Sequence, residues 1–283
     1  MAIPFHYLWL LPLGLLIGAF GTLIGAGGGF ILVPILLLVY PNEKTEIVTA
    51  ISLAVVFFNA LSGSFAYARM KRVDYKSGII FSIAAIPGAI VGALSTAYIP
   101  RRAFDLIFGI LMTIAAIVLW LSATAERSTS PRPKVVPVSE KARTGSTERH
   151  LVDAEGVHYD YAFNLRLGIV LSIFVGYISS LLGVGGGFIH VPALARLMNF
   201  PVHIATATSH FVLAVMALTG TLVHVAQGVF VHGLRRTAML AIGVLIGAQA
   251  GAWISNHTGG KAIIRALAVA MAFVGIRLIF SDF

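Results

Sequence analysis

The segment GAFGTLIGAGGGFILVP, at Gly18–Pro34, decides the fold, because the chain repeats it as GYISSLLGVGGGFIHVP at Gly176–Pro192. Ten of the seventeen aligned positions are identical. Two further matches follow in the same order: IVTAIS at Ile47–Ser52 with IATATS at Ile204–Ser209, and GAIVGA at Gly88–Ala93 with GAQAGA at Gly247–Ala252. The common order indicates an internal duplication, and repeated halves are a frequent plan among secondary transporters.

The composition around these repeats excludes most soluble classes. Of the 283 residues, 58% are hydrophobic and 11% are charged, whereas a soluble domain carries about 25% charged residues. A soluble enzyme, a disordered chain and a collagen-like fibre are therefore disfavoured. The absence of cysteine excludes disulfides, thiolate zinc sites and cysteine-ligated clusters. The net charge of +9 lies around the apolar segments, which favours loop charges that set topology over a nucleic-acid surface.

The apolar residues fall into eight stretches, four on each side of a polar region: 8–40, 46–68, 78–99, 104–124, 163–198, 203–227, 234–256 and 262–281. Most fit one membrane span of about 20 residues. The first stretch of each set is longer, and residues 8–40 as one helix would reach about 50 Å, against a hydrocarbon core of about 30 Å. A glycine cluster in the middle of each long stretch favours a break there.

We therefore predict an all-α polytopic membrane protein with two repeated helical halves, each with a Gly-broken helix. The first repeat is residues 1–125, the linker is 126–162, and the second repeat is 163–283. The linker is rich in proline, serine and balanced charge, so we predict a polar, flexible segment rather than a small folded insert. The N-terminus lacks a positive region before its apolar stretch, which favours a mature segment over a signal peptide.

Loop charges predict that the halves are inverted. The loop at 69–77 carries four basic residues, whereas the matching start of the loop at 228–234 carries no lysine or arginine. Equivalent loops on opposite sides of a membrane are expected to differ in this way. Each glycine-containing stretch then forms a broken hairpin that leaves and returns on one side.

The glycine clusters have two interpretations. A half-helix that begins near Phe30 or Phe188 would offer free N–H groups and a positive dipole end to an anion, and glycine lets an oxyanion approach the backbone. Close helix packing is the alternative, since small residues let helices approach in lipid. For Gly88 and Gly92, and for Gly247 and Gly251, packing is the better interpretation, because each pair lies four residues apart within a single span.

The duplicated motif GxGGGF-x-x-VP, followed by hydroxyl residues, resembles the TauE/SafE family of sulfite exporters. The resemblance covers both apolar halves and omits the linker. It implies transport of sulfite, organosulfonates or related small oxyanions across the bacterial inner membrane. One departure is that Thr49-Ala50-Ile51-Ser52 stands where the second half has the fuller Ala207-Thr208-Ser209, so the hydroxyl geometry of the halves is expected to differ.

Candidate substrate-binding residues are glycines, hydroxyls, histidines and amides at membrane depth, because these groups donate hydrogen bonds without a fixed negative charge. Back-bonding to the helix or bonding between helices is the alternative for each hydroxyl, histidine and amide. His224 is a weaker candidate. The set is Gly25, Gly27, Gly28, Gly29, Thr49, Ser52, Asn59, Gly183, Gly185, Gly186, Gly187, His190, Thr206, Thr208, Ser209, His210 and Gln249.

The missing charges point to an anionic substrate. From Tyr161 to Ile279 the chain has no Asp or Glu, although carriers of sodium or organic cations usually need such a group inside the membrane. We therefore predict a secondary carrier for a small oxyanion in a bacterial inner membrane, without a cofactor, a metal ion or a nucleic-acid partner. Its partners are the oxyanion and the lipid bilayer, and a homo-oligomer is left open.

Three other classes of protein share parts of this pattern. A small-anion channel and a non-catalytic membrane scaffold are the alternatives, although a scaffold gives no reason for duplicated glycine breaks. An enzyme based on Ser209-His210 is disfavoured, because adjacent helical residues point in directions about 100° apart and no acid orients the histidine.

Overall fold

The computed structural model describes residues 7–125, 146–257 and 261–280. The first half consists of five α-helices and a short 3-10 turn at Thr96–Tyr98. The helices are α1 (Leu10–Ile24), α2 (Gly29–Val39), α3 (Thr45–Arg69), α4 (Tyr75–Ser95) and α5 (Arg101–Ala125). Helix α4 begins after Asp74, whose side chain accepts a hydrogen bond from the backbone N–H of Ser77, as N-cap residues do.

Two strands precede the second half, in which the structure describes five helices. The strands are β1 (Ser146–Val152) and β2 (His158–Asn164), and a 3-10 turn occupies Val229–His232. The helices are α6 (Leu165–Leu182), α7 (Gly187–Leu197), α8 (Val202–Ala226), α9 (Leu234–His257) and α10 (Lys261–Ile279). Asn164 caps α6 by accepting from the backbone N–H groups of Arg166 and Leu167.

Five of the described helices are long and apolar enough to cross a membrane: α3, α4, α6, α8 and α9. Helices α1 and α2 are shorter and apolar. The predicted class of an all-α polytopic membrane protein is therefore confirmed. Helix α2 is sheltered by protein, because Phe30, Leu32, Val33 and Leu36 are all fully buried, which membrane-depth irregular backbone requires.

The two halves pack into each other. Helix α1 packs along α9, and α4 packs along α6. Glycines make these contacts close: a Cβ at Gly18 would lie 2.6 Å from the carbonyl oxygen of Val244, and one at Gly176 would lie 2.5 Å from that of Ala85. Gly88 and Gly247 make equivalent contacts with the backbone of Ile173 and Leu15. The packing interpretation of these glycines holds in the structure.

Helices α3 and α8 form the centre and run antiparallel. Gly63, late in α3, contacts His210, early in α8, whereas Leu53, early in α3, contacts Gly220, late in α8. The sequence repeat aligns these two helices with each other, through Ile47–Ser52 and Ile204–Ser209. Matching helices of the two halves therefore point in opposite directions.

Residues 146–162 correct the prediction of a flexible linker over 126–162. Strands β1 and β2 pair antiparallel, with Ser146 opposite Asn164 and Val152 opposite His158. Residues 126–145 lie outside the described part of the chain. The hairpin is ordered by the helical body, because Tyr161 and Phe163 are buried and lie 4.6 and 4.8 Å from the ring of Phe200. The apolar surface that the insert lacks is provided by the helices.

Polar contacts hold the hairpin on the loop between α3 and α4. Arg72 pairs with Asp153 at 3.2 Å, and the backbone N–H of Ala154 donates to the carbonyl of Met70. Arg149 lies 3.4 Å from Asp74, and the Tyr161 hydroxyl donates to the same carboxylate at 2.9 Å. The hairpin therefore covers one end of the helical body.

Candidate functional site

Two glycine turns have nearly the same backbone. Helix α1 ends at Ile24 and α2 begins at Gly29, while α6 ends at Leu182 and α7 begins at Gly187. Three glycines in each turn adopt the left-handed conformation that side chains disfavour. Their φ angles are 80°, 78° and 78° at Gly25, Gly27 and Gly28, and 68°, 87° and 59° at Gly183, Gly185 and Gly186.

The turns touch each other at the centre of the molecule. A Cβ at Gly29 would lie 2.5 Å from the carbonyl oxygen of Val184, and Gly187 makes the reciprocal contact with the carbonyl of Gly25. Ser52 strengthens the junction, because its hydroxyl donates to the Gly183 carbonyl at 2.6 Å. The backbones approach so closely that no side chain fits between them.

An apolar pair fills the space beside the junction. Both Gly27 and Gly185 face the side chains of Val56 and Leu213, which are fully buried. These two residues are equivalent positions of α3 and α8 in the repeat alignment. The same apolar pair therefore lies against both turns.

A buried polar cluster lies against the first turn. We call Thr22, Asn59, Tyr67 and His210 the first polar cluster. The Thr22 hydroxyl donates to Asn59 Oδ1 at 2.9 Å, and the Tyr67 hydroxyl donates to the Thr22 carbonyl at 2.9 Å. The ring of His210 meets Tyr67 edge-on, with centroids 5.6 Å apart.

Polar groups of this cluster lack hydrogen-bond partners. Asn59 Nδ2 and both ring nitrogens of His210 make no hydrogen bond of normal geometry with the described residues, and the ring interacts weakly with the Gly25 carbonyl. Both side chains are fully buried. Because unpaired buried polar groups are costly, such groups commonly mark a place for a ligand or water. They lie beside the N-terminus of α2, whose first N–H groups have no intrahelical partner.

A second set of polar side chains surrounds His190. Its Nδ1 lies 3.3 Å from the Ser209 hydroxyl and its Nε2 lies 3.5 Å from the Ser172 hydroxyl. The ring also meets Phe81 edge-on at 6.1 Å. His190 therefore has hydrogen-bond partners on α6 and α8, which fits a bond between helices.

Several predicted site residues direct their polar groups away from the turns. The Thr49 hydroxyl donates to the carbonyls of Thr45 and Glu46 in its own helix. The Thr208 hydroxyl accepts from the backbone N–H of Asp74 at the hairpin end. Gln249 donates to the carbonyl and hydroxyl of Ser62. Thr206 presents its methyl group to Gly25. The structure thus groups the glycines with Ser52, Asn59 and His210.

Sequence reasoning missed Thr22, Ser179 and Ser180, which are all fully buried. The signal was available, because Thr22 and Ser180 occupy the same position of the repeated motif. A hydroxyl that occurs inside an apolar stretch in both copies is, like a histidine there, a candidate functional residue.

The surroundings carry little negative charge. Asp74 is engaged by Ser77, Tyr161 and Arg149, and Asp105 is paired with Arg101. Among the described residues, no group of three or more His, Asp and Glu side chains could hold a metal ion. What the arrangement offers is hydrogen-bond donors in a low-dielectric interior, which favour an anion.

Comparisons with known proteins agree on the class of protein. The family model of the sulfite exporter TauE/SafE matches residues 10–278. YunE of Bacillus subtilis (strain 168), a probable membrane transporter protein, is 33% identical over 277 residues, which is 96% of each chain. YdhB of the same strain, another probable membrane transporter protein, is 25% identical, and the match covers 95% of this chain and 96% of the relative. No solved structure matches the chain significantly.

Proposed function

The chain belongs to the sulfite exporter TauE/SafE family of membrane transporters, and on that premise we propose that it carries sulfite or a related small sulfur oxyanion or organosulfonate across the bacterial inner membrane. The anion is held between the two glycine turns, at the N-termini of α2 and α7. The observation that carries this proposal is the pair of buried, unpartnered donors, Asn59 and His210, beside the first turn.

The charges of the membrane part support an anion over a cation. The chain has no Asp or Glu from Tyr161 to Ile279, and Asp74 and Asp105 are held by hydrogen bonds and arginine. A carboxylate within a few Å of an oxyanion would repel it strongly in low dielectric. The amide of Asn59, the imidazole of His210 and helix N–H groups instead donate to oxygen.

Alternating access follows from the arrangement of the halves. The antiparallel α3 and α8 support inverted repeats, in which rocking of one bundle exposes a central site to each side in turn. Contact between the turns closes the centre, and the apolar pair Val56 and Leu213 lies beside it. We infer that transport separates these contacts on one side at a time.

Uptake into liposomes tests the proposal. The purified protein is expected to show saturable, concentrative uptake of sulfite, thiosulfate or small sulfonates and counterflow of the same anions. Counterflow separates a carrier from a channel. Saturable cation transport without anion dependence would overturn the proposal, as would flux that follows the gradient with no counterflow.

A matched pair of variants locates the site. His210→Leu is expected to lower transport by roughly tenfold or more, because a hydrogen bond to a charged group contributes about 1.5–3 kcal/mol. Leu53 already occupies the equivalent position beside Gly220, so the change fits the fold. Gln249→Leu is the control, since Gln249 bonds to Ser62 away from the turns. Equal activity of both variants would remove His210 from the site.

A further inference from the structure

We propose that a second position for the same class of small oxyanion lies at the N-terminus of α7, formed by Ser179, Ser180 and His224. We call these residues the second polar cluster. The proposal rests on the proposed function and divides its site into two positions. One anion lies beside the first polar cluster at α2, and the other lies at α7 on the other side of the apolar pair Val56 and Leu213.

The two turns differ by an exchange of polar residues. At the first turn, a Cβ at Gly21 would lie 2.7 Å from Asn59 Nδ2, so the amide of α3 fills the space there. The repeat alignment places Met216 opposite Asn59 and Ser179 opposite Gly21. The second turn thus loses a polar group on the long helix and gains one on the helix before the turn.

The hydroxyl of Ser179 reaches the place that the exchange predicts. It lies 3.2 Å from the position of a Cβ at Gly186, the residue that precedes α7. At the first turn, the amide nitrogen of Asn59 lies 3.4 Å from the corresponding position at Gly28. Each half-helix therefore begins beside one polar side chain, provided by non-equivalent residues.

The polar groups of the second polar cluster lack partners, like those of the first. The hydroxyls of Ser179 and Ser180 make no hydrogen bond with the described residues. The ring nitrogens of His224 make none of normal geometry, although the ring interacts with the side chain of Gln227. All three residues are fully buried. The Ser180 hydroxyl oxygen lies 3.0 Å from the position of a Cβ added at Gly220. His224 lies on the same face of α8 as Gly220, one helical turn later.

The two clusters lie on opposite sides of the apolar pair. Along α3, the contact of Gly63 with His210 comes after Val56, whereas the contact of Leu53 with Gly220 comes before it. The first polar cluster accompanies the former contact and the second accompanies the latter. An anion released from one cluster would therefore cross the apolar pair to reach the other.

The chemistry of the second polar cluster fits a small oxyanion. Two hydroxyls and an imidazole donate to oxygen, and the N-terminus of α7 adds N–H groups and a positive dipole end. The sequence provides no carboxylate in this half after Asp160 until Asp282. A cation would therefore find no counter-charge from α6, α7 or α8.

Equilibrium binding to the purified full-length chain tests the proposal. With labelled sulfite or thiosulfate, we expect about two anions per chain for the unaltered protein and about one for S179A/S180A. N59M/H210L is expected to leave about one, held by the second polar cluster. Thr219→Val is the control, because the Thr219 hydroxyl donates to the Val215 carbonyl of its own helix.

The outcomes separate this proposal from the proposed function. If the unaltered protein and S179A/S180A both bind one anion, the serines hold water and the second position is overturned while the carrier stands. If no anion binds to any form, both proposals fall. Thermal unfolding without anion checks the fold of S179A/S180A, which is expected to be as stable as the unaltered protein because the lost hydroxyls are unpartnered.

Discussion

The turn at Gly25–Gly28 and the turn at Gly183–Gly186 share a backbone but differ in their polar neighbours. Both place three glycines in the left-handed region. The first has Asn59 and His210 beside it, whereas the second has Ser179 and Ser180. The two copies of the motif thus share their left-handed glycines but not the polar residues beside them.

The ends of the molecule differ more than the turns. The loop between α3 and α4 is covered by the hairpin, through Arg72 and Asp153. The loop between α8 and α9 instead meets α3 directly, where Gly233 contacts Ile51, and Arg236 pairs with Glu43. The equivalent loops of the two halves are therefore covered by different elements: the hairpin in the first half, and helix α3 in the second.

The largest expected difference between the two halves is the side of the membrane from which their equivalent loops can be labelled, because inverted halves place these loops on opposite sides. The chain has no cysteine, so Lys76→Cys and Gln227→Cys each introduce a single exposed thiol. We expect a membrane-impermeant reagent to label one of them from outside intact cells and the other after permeabilisation. Labelling of both from the same side would contradict inversion.

Leucine at the turns is expected to abolish transport equally in both halves. A Cβ at Gly28 would lie 2.6 Å from Ile17 Cγ2, and one at Gly186 would lie 2.8 Å from Val175 Cγ1. Gly28→Leu and Gly186→Leu therefore disturb the turn and block the approach of an anion to the backbone. Uptake into vesicles and the amount of folded protein in the membrane are measured together.

The control for these variants is Gly228→Leu, where φ is also positive at 73° but nothing lies within 4 Å of an added Cβ. It separates backbone strain from loss of the site. Full activity of Gly28→Leu would remove the turn from the binding site, and absence of folded protein would instead support a packing role.

Valine at the packing glycines is expected to lower stability similarly in both halves. Gly92 contacts the backbone of Tyr177, and Gly251 contacts the backbone of Ala19. Overpacking a well-packed interior typically costs about 1–3 kcal/mol, so G92V and G251V should unfold at lower temperature in a thermal assay. The exposed Ala250→Val is the control. Unchanged unfolding of one variant alone would show that the two packing seams are not equivalent.

Acidic pH is expected to weaken the docking of the hairpin on the loop between α3 and α4. Of the expected effects this is the smallest, and it concerns only one end of the molecule. Burial raises the pKa of Asp153, but hydrogen bonds from the backbone of Val157 and Glu155 and from Arg72 outweigh it, so its pKa lies below the usual range. The carboxylate therefore stabilises the docked hairpin above its unfolded-state pKa, and this stabilisation is lost as pH falls through the lowered value.

Hydrogen exchange of residues 146–164 measures this effect. Because the intrinsic exchange rate of an amide itself falls as the solution is acidified, the comparison is made in protection factors. Lower protection at acidic pH is expected, and Asp153→Asn should show low protection at all pH values. The prediction fails if Asp153→Asn keeps the protection of the unaltered protein, since the pairing with Arg72 would then contribute nothing measurable.

The sequence predicted the fold where local pattern decided the structure. Long apolar stretches with central glycines predicted where α1 and α6 end, because left-handed glycines interrupt a helix whatever surrounds them. The hairpin was missed, since the aromatic rings of Tyr161 and Phe163 find their partner, Phe200, far along the chain. Composition of a segment alone does not reveal apolar surface that another segment provides.

The candidate site was predictable to a similar extent. Asn59 and His210 stood out because amides and imidazoles are rare inside spans. Ser179 did not, because its relation to Gly186 depends on the packing of α6 against the turn. Thr49 and Gln249 were predicted as site residues, but their polar groups are used elsewhere. Thr49 donates to its own helix, and Gln249 donates to Ser62.

The crossed pairing of α1 with α9 and of α4 with α6 has a consequence for biosynthesis. Helix α1 leaves the ribosome first and acquires its neighbour α9 only when most of the chain has been made, whereas α4 meets α6 earlier. At about 5–20 residues per second, α1 spends on the order of ten seconds in the bilayer without α9. The first half is therefore an incomplete bundle during that interval, and the face of α1 that carries Gly14 and Gly18 is not yet covered by α9.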